Sequence, residues 1–172
     1  MREQIHNYLI KTLRITVKIL FVALFIRVVI AEPGRVEGLS MQPNFKNNSL
    51  FIVNKVAYLI ATPQRFDVIQ AYDSTSPDKI LIKRIIGLPG EELEFRENKI
   101  HLKKANGDEE LLEEQYLPKD MLNALPPGVS PHTQIPEDSY YIMGDNRIES
   151  RDSRFFGPLH RRSIIGKVIT FH

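Results

Sequence analysis

The sequence predicts a mainly β protein: an N-terminal transmembrane helix followed by an all-β domain. Three observations carry that prediction. A single apolar run, residues 15 to 31, lies near the start of the 172-residue chain and is preceded by basic residues. Beyond Pro33-Gly34 the apolar residues fall into short stretches rich in β-branched and aromatic side chains, divided by Gly, Pro, Asn and Asp, the punctuation of strands and turns. A chain of this length also has room for one core, or one core and a small appendage, so one main domain is expected.

The apolar run reads ITVKILFVALFIRVVIA. As a helix it would span roughly 25 Å, slightly short of a hydrocarbon core of about 30 Å. Lys18 and Arg27 lie one turn from its two ends, where long basic side chains can reach opposite head-group layers. Arg2, Lys11 and Arg14 precede it against one acid, Glu3, so residues 1–14 are expected in the cytoplasm and residues 33–172 outside the cell membrane. A cleaved leader competes with this reading, because Val29-Ile30-Ala31 resembles a cleavage site, but Arg27 interrupts the apolar stretch a leader needs. A buried soluble helix fits less well, since Lys18 and Arg27 fall on opposite sides of it.

Strands are expected at 50–56, 66–72, 80–87, 92–95, 99–103, 139–143 and 164–171, with Arg96-Glu97-Asn98 as a hairpin loop. Residues 104–138 differ: an acidic patch (GDEELLEEQ) leads into five prolines, which reads as a long surface excursion with a solvated charged face.

Composition excludes much chemistry. There is no cysteine, so disulfides, thiolate metal sites and cysteine nucleophiles are absent. No H-E-x-x-H spacing occurs, and no metal or cofactor is expected. Residues 33–172 hold 18 Lys and Arg against 19 Asp and Glu, so the body is near neutral and lacks the basic excess of a nucleic-acid binder.

The stretch EGLSMQPNF places Ser40 in a small-residue turn. A hydroxyl needs a base to become a nucleophile, and none of the five histidines (His6, His101, His132, His160, His172) stands in a catalytic context. Alone, a turn serine most simply satisfies backbone groups. The run ILIKRIIG offers another base. On a strand, Lys83 shares a face with Leu81 and Ile85, and Arg84 shares one with Ile82 and Ile86. Burial lowers a lysine pKa from about 10.4, and a neutral amine is a competent base, whereas arginine keeps its proton and needs a carboxylate. Alone, the run reads more simply as an edge strand with two solvated cations. A third stretch, GDNRIESRDSRFFGP, packs alternating acids and bases around glycines, as a rigid hydrogen-bonded support for a site would require.

In this order, the apolar run, EGLSMQPNF, FDVIQAY, LIKRIIGLPGE and GDNRIESRDSRFFGPL resemble the bacterial type I signal peptidases, membrane-anchored Ser-Lys proteases. The resemblance implies a catalytic domain of several coiled antiparallel sheets, Ser40 as nucleophile, Lys83 as general base and Ser150 as the group that orients the lysine amine. It also implies an Arg84–Asp145 pair and an Asp152–Arg154 pair, with Val36, Met41 and Ile82 as walls of the substrate pockets. The implied substrates are signal peptides of exported preproteins, cut by a monomer attached to the lipid bilayer, without nucleic acid. Two positions depart from the pattern. Asn44 stands where the family usually has Thr, so the bond bracing the loop is expected to differ. Gly38 stands where some members carry a hydroxyl for the oxyanion, which leaves backbone N–H groups, including that of Ser40, to fill that role. A catalytically inactive assembly factor for surface structures would lack Ser or Lys, and both are present. A self-cleaving repressor would carry a DNA-binding domain where this chain has its apolar run.

Overall fold

The computed structural model describes residues 1–172 apart from 77, 105, 106, 119, 120, 122, 124, 171 and 172. The chain opens with helix α1 (Arg2–Phe25), widens into a π turn (Ile26–Ile30) and passes directly into strand β1 (Ala31–Arg35). The helix thus starts well before the apolar run, at Arg2, and the last residue of that run, Ala31, belongs to a strand. No residue of α1 is buried. Among the described residues no helix is long and apolar enough to cross a membrane, so the span expected over 15–31 is not found as such. The reason lies in the sequence: any eighteen-residue stretch of α1 takes in Lys11, Arg14 and Lys18, and the apolar residues after Lys18 are divided between α1 and the π turn.

The body contains β2 (Leu50–Asn54), helix α2 (Ala57–Ile60), β3 (Val68–Tyr72), β4 (Ile80–Gly87), β5 (Glu92–Arg96), β6 (Lys99–Lys103), β7 (Glu109–Leu111), β8 (His132–Gln134), β9 (Ser139–Met143), helix α3 (Ser153–Phe156), β10 (Leu159–His160) and β11 (Ile164–Ile169). Among the described residues, these strands and β1 form two antiparallel sheets, one of seven strands in the order β1-β2-β11-β3-β4-β9-β10 and one of four in the order β7-β6-β5-β8. The fold is therefore mainly β, as expected. Every stretch expected to be extended contains a strand, and Glu97 and Asn98 form a two-residue hairpin loop with φ of 53° and 60° between β5 and β6. Strands β1, β7, β8 and β10 were not expected. Their composition is poor for strands, and pairing holds them in place: AEPGR of β1 lies along β2 at the sheet edge, where Pro33 is tolerated.

The acidic excursion is not simply a solvated face. It supplies both outer strands of the small sheet, β7 against β6 and β8 against β5. Leu112, Tyr116 and Leu125 pack on the core between the sheets, where Ile86, Tyr141 and Met143 of the large sheet meet Leu93, Phe95, Ile100, Leu102 and Ile135. Each fully buried side chain of this kind contributes about 1.5–3 kcal/mol.

Strand β4 positions the site. Its residues alternate between cores as the sequence predicts: Ile86 packs between the sheets, and Ile85 joins Ile69 and Ile142 on the other side. Strand β3 pairs with Ile80–Arg84, but β9 pairs only with Arg84, Ile85 and Gly87. The first half of β4, Ile80–Lys83, is thus bonded on one side and open on the other.

Candidate active site

Ser40 sits on the loop between β1 and β2, which folds back on itself through Val36 N–H to Ser49 O (2.9 Å), Asn48 N–H to Val36 O (2.8 Å) and Gly38 N–H to Asn47 Oδ1 (3.1 Å). Gly38 has φ of +91°, a left-handed conformation that suits glycine and lets the chain turn toward the serine. Met41 and Val36 anchor the loop in a core with Phe51, Val53 and Val168, and Ile82 packs against that core.

Lys83 reaches Ser40 from the open half of β4. Its Nζ is hydrogen-bonded to Ser40 Oγ at 2.8 Å and donates to Ile82 O at 3.0 Å, and the residue is 4% exposed. Burial holds the lysine pKa below its ordinary value; Asp152, Asp145 and Asp73 pull it back up, and Arg154 adds to the lowering. An amine that sheds its proton easily and touches a hydroxyl oxygen is equipped to take that hydroxyl's proton.

Asp145 is fully buried and neutralised by Arg84, whose Nε and Nη2 donate to its two oxygens at 2.8 and 2.6 Å. Asp152, also fully buried, accepts from Arg154 Nε (2.8 Å), Arg154 Nη2 (2.9 Å) and Gly144 N–H (3.0 Å), and caps α3 by accepting from Arg154 N–H. Both pairs implied by the resemblance are therefore present as contacts. Asn44 also donates to Asp145 Oδ2 at 2.9 Å, so the residue that departs from the family pattern ties the serine loop to the same carboxylate.

The loop after β9 supports Ser40 from behind. Asn146 N–H donates to Ser40 O at 3.0 Å. Gly144 lies so close that an added Cβ would fall 2.4 Å from Ser40 O and 2.3 Å from Ser150 Oγ. Ser150 is buried beside the site, and among the described residues its hydroxyl has no hydrogen-bond partner. A groove of about 600 Å³ opens in front of Ser40 and Lys83. Val36, Met41 and Ile82 line it, and Arg35, Glu37, Asp78 and Lys79 bring charge to it. The described histidines lie elsewhere: His6 on α1, His101 on β6, His132 on β8 and His160 on β10; His172 lies outside the described residues.

Sequence reasoning missed Tyr116 and Glu114 as neighbours of the site; Arg147 lies in the stretch GDNRIESRDSRFFGP read as its support, but its partner Glu114 was not foreseen. The Tyr116 ring lies over Arg84, 4.0 Å from Cζ to the centroid, and Arg147, 3% exposed, is ion-paired with Glu114. The available signal was an aromatic residue and two leucines set among the acids of the excursion.

A family model described as signal peptidase, peptidase S26, matches residues 9–172. Signal peptidase I V of Bacillus subtilis is 34% identical over 141 residues, 78% of this chain and 81% of that protein. Signal peptidase IB of Staphylococcus aureus is 31% identical over 167 residues, 90% of this chain and 84% of that protein. The crystal structure of a signal peptidase I from Enterococcus faecalis superposes with a TM-score of 0.50 at 32% identity, covering 64% of this chain and 99% of that one.

Proposed function

Since this chain belongs to the signal peptidase family, peptidase S26, we propose that it is a serine endopeptidase that removes N-terminal signal peptides from exported preproteins, with Ser40 as nucleophile and Lys83 as general base. The observation that carries the proposal is the 2.8 Å contact between Ser40 Oγ and a lysine amine that burial keeps easy to deprotonate. The neutral amine takes the Ser40 proton as Oγ attacks the scissile carbonyl, and the oxygen of the tetrahedral intermediate is held by N–H groups that include Ser40's. Lys83, now an ammonium, gives the proton to the leaving amine. Water, deprotonated by the same lysine, then attacks the acyl carbon, and the ammonium returns that proton to Ser40 Oγ as the ester bond breaks and the acid leaves. The unpartnered Ser150 hydroxyl is assigned to orient the amine; Asp145, Arg84, Asp152 and Arg154 hold the surrounding loops.

The substrate adds as an extended strand along the open half of β4, and Val36, Met41 and Ile82 form shallow walls that accept small side chains. Attachment to the bilayer, with the N-terminus cytoplasmic and the body outside, belongs to the same proposal. Its support is the exposed apolar surface of residues 19–30, on which Leu20, Phe21, Phe25 and Val28 are all at least half exposed. The test is mass analysis of a preprotein incubated with the purified full-length protein. A single new N-terminus just after a small-residue site is expected, and an intact preprotein overturns the reading.

A further inference from the structure

We propose that Leu112–Leu117, within the acidic excursion, is a clamp that positions both members of the dyad, with Glu114 and Tyr116 as its positioning residues. This rests on the assignment of Ser40 and Lys83 above.

One arm runs to the serine. Glu114, whose side chain is 6% exposed, holds Arg147 through two parallel contacts, Nη1 to Oε2 at 2.8 Å and Nη2 to Oε1. Arg147 Nε donates to Gly144 O at 3.0 Å, and Gly144 and Asn146 are the residues against which the Ser40 carbonyl rests. The other arm runs to the lysine. The Tyr116 ring covers the guanidinium of Arg84, the residue next to Lys83, and meets the edge of Phe66 at 5.5 Å. The Tyr116 carbonyl accepts from Asn44 Nδ2 at 2.9 Å, and that same amide donates to Asp145, the partner of Arg84. The Tyr116 hydroxyl joins the arms, donating to Glu114 and accepting from Arg147 Nη2 at 3.1 Å.

A buried ion pair is a poor way to gain stability, because desolvation offsets the attraction and apolar side chains of similar volume often serve as well. What a bidentate pair and a ring stacked on a guanidinium supply is direction. Both arms end beside a reacting group, where a displacement of about 1 Å is costly to turnover.

The test uses the full chain with Glu114→Gln, Tyr116→Leu and Tyr116→Phe, assayed well below each variant's Tm. With Glu114→Gln and Tyr116→Leu, kcat on a signal-peptide substrate is expected to fall about tenfold or more while KM stays within about twofold. Tyr116→Phe keeps the ring on Arg84 but loses the hydroxyl that joins the arms, and its kcat is expected to fall between those of Tyr116→Leu and the wild type. A second readout needs no substrate: the pH midpoint of the Lys83 side-chain nitrogen, followed by NMR. The charged groups around that amine are Asp73 from the end of β3, Asp145 and Asp152 from the loop after β9, and Arg154 from α3, and all are unchanged in the variants. Burial is the main cause of the lowered value, so a loosened loop readmits water and the midpoint rises toward that of an ordinary lysine. An unmoved midpoint and unchanged kcat in folded variants overturn the clamp, leaving ordinary packing. A loss confined to KM also overturns it, because the excursion then touches substrate. If Glu114→Gln does not fold, the double variant Glu114→Leu with Arg147→Met removes both charges, and wild-type kcat in that variant overturns the proposal. Failure of the wild-type protein to cut any preprotein would count against the proposed function alone, since the lysine midpoint still reads the clamp.

Discussion

On the proposed mechanism, Lys83 joins a cost in stability to a gain in chemistry. Its amine is buried and its pKa held down, so between the folded and unfolded values the unfolded chain binds more protons and stability rises with pH. Below the folded value the full cost is present. Lys83→Met is therefore expected to abolish turnover and to raise Tm, with a gain that is larger at about pH 6 than at about pH 10, where an unfolded lysine is itself losing its proton. For the wild type, activity should climb through the neutral-to-alkaline range as Lys83 deprotonates, and the acid limb of kcat/KM should survive replacement of His101, His132 or His160; loss of the limb with any one histidine would sink the assignment. Ser40→Ala and Lys83→Ala should each remove processing while leaving the fold intact, and Ser150→Ala should lower it more mildly. Gly144→Ala forces a methyl against Ser40 O and Ser150 Oγ, with an expected cost of about 1–3 kcal/mol in stability and a fall in kcat, both measurable on the purified variant. At this scale the sequence was legible where residue type limits chemistry. The absence of cysteine and of a suitably placed histidine narrows the bases open to Ser40, but the run ILIKRIIG alone reads as an edge strand, and it is the resemblance that singles out Lys83. Tyr116 was not legible as a neighbour of the site, nor were the partners of Asn44, because these contacts join residues distant in the chain.

Strands were legible when their own side chains made them so. LFIVN, VIQAY, ILIKRIIG and SYYIM carry alternating or continuous burial, and β9 is buried throughout. AEPGR, EEL and HTQ do not, and become strands because β2, β6 and β5 present free hydrogen-bonding edges to them. The excursion was read only in part for the same reason: its acids are mostly exposed, as a solvated face requires, and the few residues that pack or pair inward, Leu112, Glu114 and Tyr116, are outnumbered. The hairpin between β5 and β6 tests the turn reading directly. Glu97 occupies a left-handed position that a side chain of its type tolerates poorly, and Asn98 occupies the next. Replacing the pair by Asn-Gly should stabilise the protein by about 0.4–1 kcal/mol, seen as a higher Tm with unchanged kcat; an unchanged or lower Tm would show that the loop is held by something other than its own backbone preference.

Among the described residues, the molecule has a body with three apolar clusters and a leading helix with no buried residue. Composition located that helix, but its length and its break at Phe25 came only from the structure. If the helix holds the protein at a bilayer, changing Ile19, Phe21 and Phe25 together to Ser should release it from vesicles in a flotation assay while peptide cleavage by the body persists; continued flotation would place the lipid contact elsewhere. Protease added to intact spheroplasts should then digest residues 33–172, and complete protection would reverse the orientation. The half-open strand β4 also matters to how copies of this protein behave together. Unpaired backbone is an invitation to any extended chain, and most proteins blunt such edges with charge or cover. Here the vacancy runs only from Ile80 to Lys83, recessed in a groove with Asp78 and Lys79 at one end. So short and recessed a stretch favours a single flexible segment over the rigid border of another folded copy. On the proposed function, the geometry that takes up an extended client would also keep the open half of β4 from pairing with β4 of a second copy.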